Sequence, residues 1–441
     1  MPYLMNRSSF LSPFLFLVLG ILFALPSFSY SEWSRFRGEN GSGVNVGAEI
    51  PSALSDDNKA WSVDVPGQGH GSPVVAGGRI YLLSAVEVEA DVPGENQKGG
   101  KKKGKGNAPK PYRWLTLCLD AETGKTIWEK DFPQRKFKGH RYNSAASSTA
   151  AVDEDQVVFA WGTADQLTVV SLDLEGNLQW EQNLGPVVGG HGFGGSPILW
   201  NDLVVLNNDQ EKKNGNLLAL DARTGEVKWT VDRRSERISY SVPCVYEVDG
   251  KPLLVFTNWQ HGFTAIDPES GKVVAEKSVF FLETNERAIS SPIVTNGLVI
   301  GTCGFTANPK HCVAMKMEKG EWQEVWRIER NVPHIPSVIA VGEYAYLIDD
   351  SGIGTCVKAT TGEELWKKRI PGVEGAIFGS PVSDGENLFF VDESGNLHTL
   401  AASPEFKPIG VHPIGELCRT TPAIAGNTLY VRSETKLTAW R

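Results

Sequence analysis

The sequence predicts an all-β fold, an eight-bladed β-propeller of four-stranded antiparallel blades closed by an N-terminal strand that joins the C-terminal blade. Three observations predict it. One phrase recurs along the chain, a second recurs upstream of each copy at a steady period, and the last copy lacks a strand that the N-terminus carries as a spare.

The first phrase is LDAETGKTIWE at 119–129, written again as LDARTGEVKWT at 220–230. Gly124 is followed four residues on by Trp128, Gly176 by Trp180, Gly225 by Trp229 and Gly362 by Trp366. Gly271 keeps the turn but has Ala275 in the Trp position, and Trp326 follows a slightly longer turn after Gly320. In D-A-x-T-G the Asp side chain bonds backbone groups two residues on, and Gly takes positive φ without steric cost. The Trp of the returning strand then fills the wedge between neighbouring blades.

The second phrase is a small residue and Pro, an apolar run, a tight turn and another apolar run: GSPVVAGGRIYLLS, GSPILWNDLVVLN, SSPIVTNGLVIG, GSPVSDGENLFFV and TTPAIAGNTLYVR. With the Pro slot as a ruler, the units fall at 73, 149, 197, 243, 292, 337, 381 and 422. Their spacing is that of one propeller blade once an insertion in the first unit is set aside. Strand A follows the slot, B follows the tight turn, C is an apolar run such as LLALDA, and D carries the Trp.

Closure follows from the ends. The eighth unit stops at KLTAWR, where Arg441 falls in the slot that Asp221 occupies in LLALDA, so its strand D is missing. NKAWSVDVP supplies a spare, with Trp61 twelve residues before Pro73. A ring pinned shut by this split leaves no free sheet edge. The structural blade tryptophans are then Trp61, Trp128, Trp180, Trp229, Trp326 and Trp366.

Phrases of the form LDA-x-TGK-x-x-W resemble the PQQ-like repeat of quinoprotein dehydrogenases and of the non-catalytic propeller of the outer-membrane assembly factor BamB. WSRFRGENGSGV at 33–44 is similar to the segment that opens many exported bacterial propellers of this type. The resemblance implies the fold more firmly than the activity. A quinoprotein dehydrogenase would hold PQQ over a Trp floor with Ca²⁺ on the quinone, a carboxylate base and, in many members, a disulfide between adjacent cysteines. No two cysteines here are adjacent, and no C-x-x-C-H haem site occurs.

The chain has 441 residues, formal charge -9, 41% hydrophobic and 22% charged residues, the composition of a globular protein. Arg7 precedes an apolar run from Phe10 to Leu25, with small residues at Ser27 and Ser29. Residues 1–31 therefore read as a signal peptide cleaved near Ser29 to Ser31, sending the protein to the periplasm or cell envelope; a retained anchor is the alternative. The first cysteine is Cys118, so no lipid-anchor cysteine is expected, and no transmembrane domain is expected in the mature chain. Residues 32–60 form an N-terminal arm and 61–441 the propeller. The Lys/Gly-rich stretch 85–112 cannot bury a core and is expected to be disordered, a solvated hairpin extension or, as the alternative, a tether for an anionic surface.

Net acidity without a basic stripe argues against nucleic acid. No H-E-x-x-H, G-x-S-x-G or Walker loop occurs, so neither a metal site nor a catalytic residue is assigned. Cys303 and Cys312 flank one B-to-C loop and either bridge it or remain thiols. The A-to-B and C-to-D turns are short, whereas elaboration is confined to B-to-C and D-to-A loops, which marks that face for binding. Its D-to-A linkers carry His70, His140, Arg141, His191, Arg237, Arg287, His334 and Arg419 near the central channel. His70, His334 and Arg419 each lie three residues before the slot and are expected to point alike. A cationic mouth on an acidic protein attracts an anion; the alternative is that these groups pair with Glu286 and backbone carbonyls to close the loops. The expectation is an exported, monomeric, non-catalytic scaffold without cofactor, binding a protein partner in the cell envelope or a small anionic ligand. A PQQ-dependent or otherwise divergent oxidoreductase, with PQQ and Ca²⁺, is the alternative.

Overall fold

A computed structural model describes residues 32–89, 108–280, 287–305 and 310–441. The signal-peptide reading of 1–31 and the centre of the Lys/Gly-rich insertion lie outside the described residues. Eight four-stranded antiparallel sheets follow one another as blades. Strand A begins at Val74, Ala151, Ile198, Cys244, Ile293, Ile339, Val382 and Ala423. Each start lies one residue past the Pro slot, which corrects the ruler at two units. Ala150 and Val338 hold the slot, not Thr149 and Ser337, because those two units have no Pro there to mark it.

The eighth blade is Ala423–Ala425, Thr428–Arg432 and Lys436–Trp440, completed by Lys59–Asp64. Val63 pairs with Leu437 and Trp61 with Ala439, so the two ends of the chain share one sheet. The expected closure is present.

The repeated Gly and Trp prove to be partners across blades. A Cβ on Gly225 would lie 2.6 Å from the Trp180 ring, one on Gly271 2.6 Å from Trp229, and one on Gly124 2.7 Å from Trp61. Each of these glycines has positive φ, 73° at Gly225. The indole N–H then reaches a carbonyl of the same turn: Trp180 Nε1 donates to Ala222 O at 2.9 Å and Trp326 Nε1 to Ala359 O at 2.9 Å. The turn Asp acts as its residue type predicts, Asp221 Oδ1 accepting from the N–H of Arg223 and Thr224 at 3.0 Å. Where Ala275 replaces Trp, nothing approaches Gly320, and the wedge is filled from the other side by buried Trp322, stacked on Tyr246 with centroids 5.8 Å apart.

One expectation is corrected and one open alternative is decided. Strand B of the first blade runs to Glu87 and strand C starts at Lys110, with Ala85 opposite Trp114 and Glu87 opposite Tyr112. Both ends of 85–112 are therefore ordered hairpin, anchored by fully buried Trp114 stacked on Trp161. Cys303 and Cys312 do not bridge. Cys303 pairs with His311 and Cys312 with Thr302, one register step apart, so the two thiols leave opposite faces of the sheet into different core clusters.

The N-terminal arm runs along the inner strands. Trp33 exchanges backbone bonds with Val75, Asn45 N donates to Ser383 O, and Glu49 N reaches Asn427 in an A-to-B turn. The arm thus enters the axial channel from the face of the short turns, opposite the elaborated loops.

Gly225→Ala tests the Gly–Trp junction. The new methyl meets both an αL backbone and the Trp180 ring, so stability should fall by at least about 1–2 kcal/mol in urea unfolding. An unchanged midpoint would refute the junction. Leu437→Ala, in the strand that the closing strand pairs with and fully buried, should lower stability in urea unfolding by about 2–5 kcal/mol.

Candidate functional site

The corrected ruler fixes two rings of side chains about the axis. Three residues before each slot stand His70, Ser147, Gly194, Tyr240, Ile289, Ile335, Phe378 and Arg419, and all eight line one pocket of about 500 Å³ at the mouth of the channel. The second ring, one residue before the slot, holds hydroxyls in seven blades and Val242 in the fourth.

The second ring binds the blades to one another. Each N–H donates to the hydroxyl of the next blade: Ser72 to Thr149, Thr149 to Ser196, Ser291 to Ser337, Ser337 to Ser380 and Ser380 to Thr421, at 2.9–3.0 Å. Val242 N donates to Ser291 Oγ at 2.9 Å, and Thr421 N to Ser72 Oγ at 3.2 Å closes the circle. The gap before Val242 is spanned instead by Asn207, whose Nδ2 donates to Ser241 O at 2.9 Å. With strand A held this way, the residue two positions earlier in every linker is aimed at the axis.

Six of the eight linker residues singled out from sequence line the mouth: His70, His140, His191, Arg287, His334 and Arg419. Arg141 and Arg237 do not. Arg141 lies on the rim with its guanidinium 4.2 Å from the centroid of the Tyr142 ring, and its carbonyl accepts from Arg419 Nη1 at 2.9 Å. His334 is one residue out of step with His70 and Arg419; Ile335 holds the equivalent place. Sequence reasoning also missed the aromatic wall of Tyr142, Tyr240, Phe305 and Phe378. Two of these, Tyr240 and Phe378, stand at the same ruler position as Arg419, so the signal was present for apolar residues too.

The electrostatics differ from a plain cationic mouth. Arg287 Nη2 lies 3.2 Å from Glu211 Oε1, and Arg419 pairs with Glu393 through Nε at 3.1 Å and through Nη2. Glu286 lies outside the described residues. Burial first, then the Arg419 and Arg432 charges, pull His70 down to about 3. Burial, His140 and Arg287 pull His191 down to about 4, and His140, whose ring centroid is 4.1 Å from that of His191, is lowered by burial and by Arg141. These histidines are neutral at ordinary pH and serve as polar, flat walls. Asp350 accepts from Lys310 and from the N–H of Ile335 at 2.9 Å, fixing the sixth linker. Neighbouring Asp349 turns the other way, into its own turn.

The residues present do not fit PQQ and Ca²⁺. Among the described residues no tryptophan lines the pocket, and its one carboxylate, Asp350, is already held by an ammonium and backbone N–H groups. No cluster of three or more metal-binding side chains occurs among the described residues.

The depressed histidines carry a pH dependence. An unfolded chain takes a proton on His70 near pH 6.5, whereas the folded chain resists until about 3. Acidification through this window therefore favours unfolding. His70→Gln should flatten the loss of stability between pH 6.5 and 4 in urea titrations, and an acid limb as steep as that of the parent would exclude a buried neutral His70.

Comparison with known proteins agrees with this architecture. The family described as outer membrane protein assembly factor BamB matches residues 115–368 and 281–441. BamB of Burkholderia pseudomallei is 22% identical over 320 residues, 72% of this chain and 76% of the relative. The crystal structure of BamB from Moraxella catarrhalis superposes with TM-score 0.60 at 14% identity, covering 87% of this chain and 97% of that one. A europium-containing methanol dehydrogenase superposes with TM-score 0.53 at 14% identity, over 84% and 89%. At such identities the solved structures share the fold alone. The repeat, the ring and the family match over most of the sequence together establish that this chain belongs to the BamB family of PQQ-like propellers.

Proposed function

We propose that this chain is an exported, non-catalytic scaffold that binds a protein partner in the cell envelope, or a small anionic ligand, on its D-to-A and B-to-C loop face. The observation that carries the reading is the mouth pocket, built by all eight linkers and walled by Tyr142, Phe305 and Phe378. Arg287 and Arg419 sit at its edge, each beside an aromatic ring, with Arg419 5.3 Å from the Phe378 centroid. An aromatic or aliphatic side chain with a carboxylate nearby fits this mixture. Its apolar part displaces water from the rings, and its charge competes with Glu393 or Glu211 for a guanidinium. The matched relatives are named outer membrane protein assembly factors, which supports a protein in the envelope as the partner. No helix among the described residues is long and apolar enough to cross a membrane.

The quinoprotein alternative draws on shared fold only, and the pocket lining opposes it. Replacing Tyr142, Phe378 and Arg419 together by Ala should weaken partner capture from envelope extracts by at least about tenfold, since aromatic and Arg anchors dominate such contacts. Undiminished capture would move the interface off this face. Incubation with PQQ and Ca²⁺ should leave no bound quinone chromophore and no dye reduction with alcohols or sugars, and either signal would overturn the non-catalytic reading.

A further inference from the structure

Beneath the mouth pocket the channel continues as a smaller cavity of about 130 Å³, bounded above by the first ring of side chains, around its waist by the hydroxyl ring and below by Phe36 of the arm. We propose that this cavity is a binding site for one small inorganic anion, a halide or an oxyanion of similar size, and the inference stands apart from the loop-face reading.

The argument begins with protons. Each of the seven ring hydroxyls already accepts a backbone N–H from the preceding blade. None has an acceptor for its own O–H among the described residues, and none is more than 5% exposed. A buried hydroxyl retains one donor after such a bond, and buried donors need acceptors. The space these seven share contains no carboxylate among its lining residues. Tyr240 gives its proton to Gly192 O at 3.2 Å, and Arg419 also borders the space. The cavity is thus rich in donors and poor in acceptors.

Charge makes the second, independent observation. Arg35 and Arg37 flank Phe36 and are 8% and 0% exposed. Arg35 donates to Pro243 O at 2.6 Å, Arg37 to Val338 O at 2.9 Å and to Ser42 O at 3.2 Å. These acceptors are carbonyls; neither guanidinium has an acidic partner among the described residues. Among the described residues, Nε of both and Nη1 of Arg37 have no hydrogen-bond partner. Pro243 and Val338 directly follow Val242 and Ser337 of the hydroxyl ring, which puts both cations one residue from the cavity wall. Burial without a counter-charge lowers their pKa values, to about 10 for Arg35 and about 9 for Arg37.

Water alone could accept the hydroxyl protons but would leave two buried cations uncompensated, at a cost of several kcal/mol. A small anion does both tasks. The volume holds a halide or small oxyanion with a few waters, since a water occupies about 30 Å³, and leaves no room for a sugar or nucleotide.

The test uses the full chain. Crystals soaked in sodium bromide should show an anomalous peak on the axis between the first ring and Phe36. In solution, sodium chloride or bromide should raise the unfolding midpoint above that in sodium gluconate of equal ionic strength, gluconate being too large to enter. Ser291→Ala with Ser380→Ala removes two donors from the wall and should weaken apparent halide affinity at least about tenfold. Should that pair fold poorly, Ser380→Ala alone reads the same quantity with a smaller change. An axis without bromide overturns the proposal. So does a halide increment that persists unchanged in the variants, which would mark a general salt effect.

Discussion

The structure depends on a contact that no single blade can make. Five strand-D tryptophans, Trp61, Trp128, Trp180, Trp229 and Trp326, lie where a side chain on the next blade's turn would stand, and only glycine leaves that space open; Trp366 meets Phe406 there instead. The constraint couples sequence copies in pairs: a turn must be glycine because its neighbour ends in tryptophan. It also explains the split blade. The turn at Gly124 needs a tryptophan from the blade before it, and in a ring that blade is the last, so Trp61 has to arrive from the other end of the chain. There the acceptor Ala121 O is taken by Tyr430 and Arg441 rather than by an indole, a local exchange that keeps the junction bonded.

Junction and site are separable because they use different atoms of the same linker. The hydroxyl ring binds blades through backbone N–H groups, and its side chains need only an oxygen. At the position two residues earlier the side chain takes no part in that ring, although the N–H groups of His70 and Tyr240 also reach the next linker at Ala146 O and Ala288 O. His, Ser, Gly, Tyr, Ile, Phe and Arg all occupy it without disturbing the ring. Such a scaffold can change what it binds while keeping the Gly–Trp and hydroxyl contacts, which is how a common fold persists at 14% identity.

Blade count, strand order and closure were legible because they rest on period and turn chemistry, which leave local marks. The ruler slipped by one residue at Thr149 and Ser337, where Ala150 and Val338 stand in the slot, and that slip put His334 in place of Ile335. The mouth was read as cationic because residue type gives charge only in water. Glu211 and Glu393 reach Arg287 and Arg419 from other loops, and burial holds His70 and His191 neutral, neither of which spacing can reveal. Cys303 and Cys312 flank one loop, yet an odd register step sends them to opposite faces. The arm's role was also hidden: WSRFRGENGSGV has no periodicity, and only the ring's geometry shows that Phe36 meets the axis.

That arm makes the channel blind. Phe36 ends the lower cavity on the side of the short turns, and Arg35 and Arg37 are tied to inner-strand carbonyls around it. Toward the loop face the two cavities meet at residues that include His70, Tyr240, Phe378 and Arg419, which border both. An occupant of the mouth and an anion beneath it would share these side chains among others, so any coupling between the two runs through these contacts. By linkage the effect is equal in both directions. Arg419 keeps it small: bound to Glu393 it is neutralised, and a ligand carboxylate that displaces Glu393 leaves its charge balanced, whereas a ligand that merely stacks on Phe378 leaves the guanidinium pair intact and stands over the lower cavity. The first kind of ligand would leave the anion's affinity nearly unchanged, and the second would slow its release.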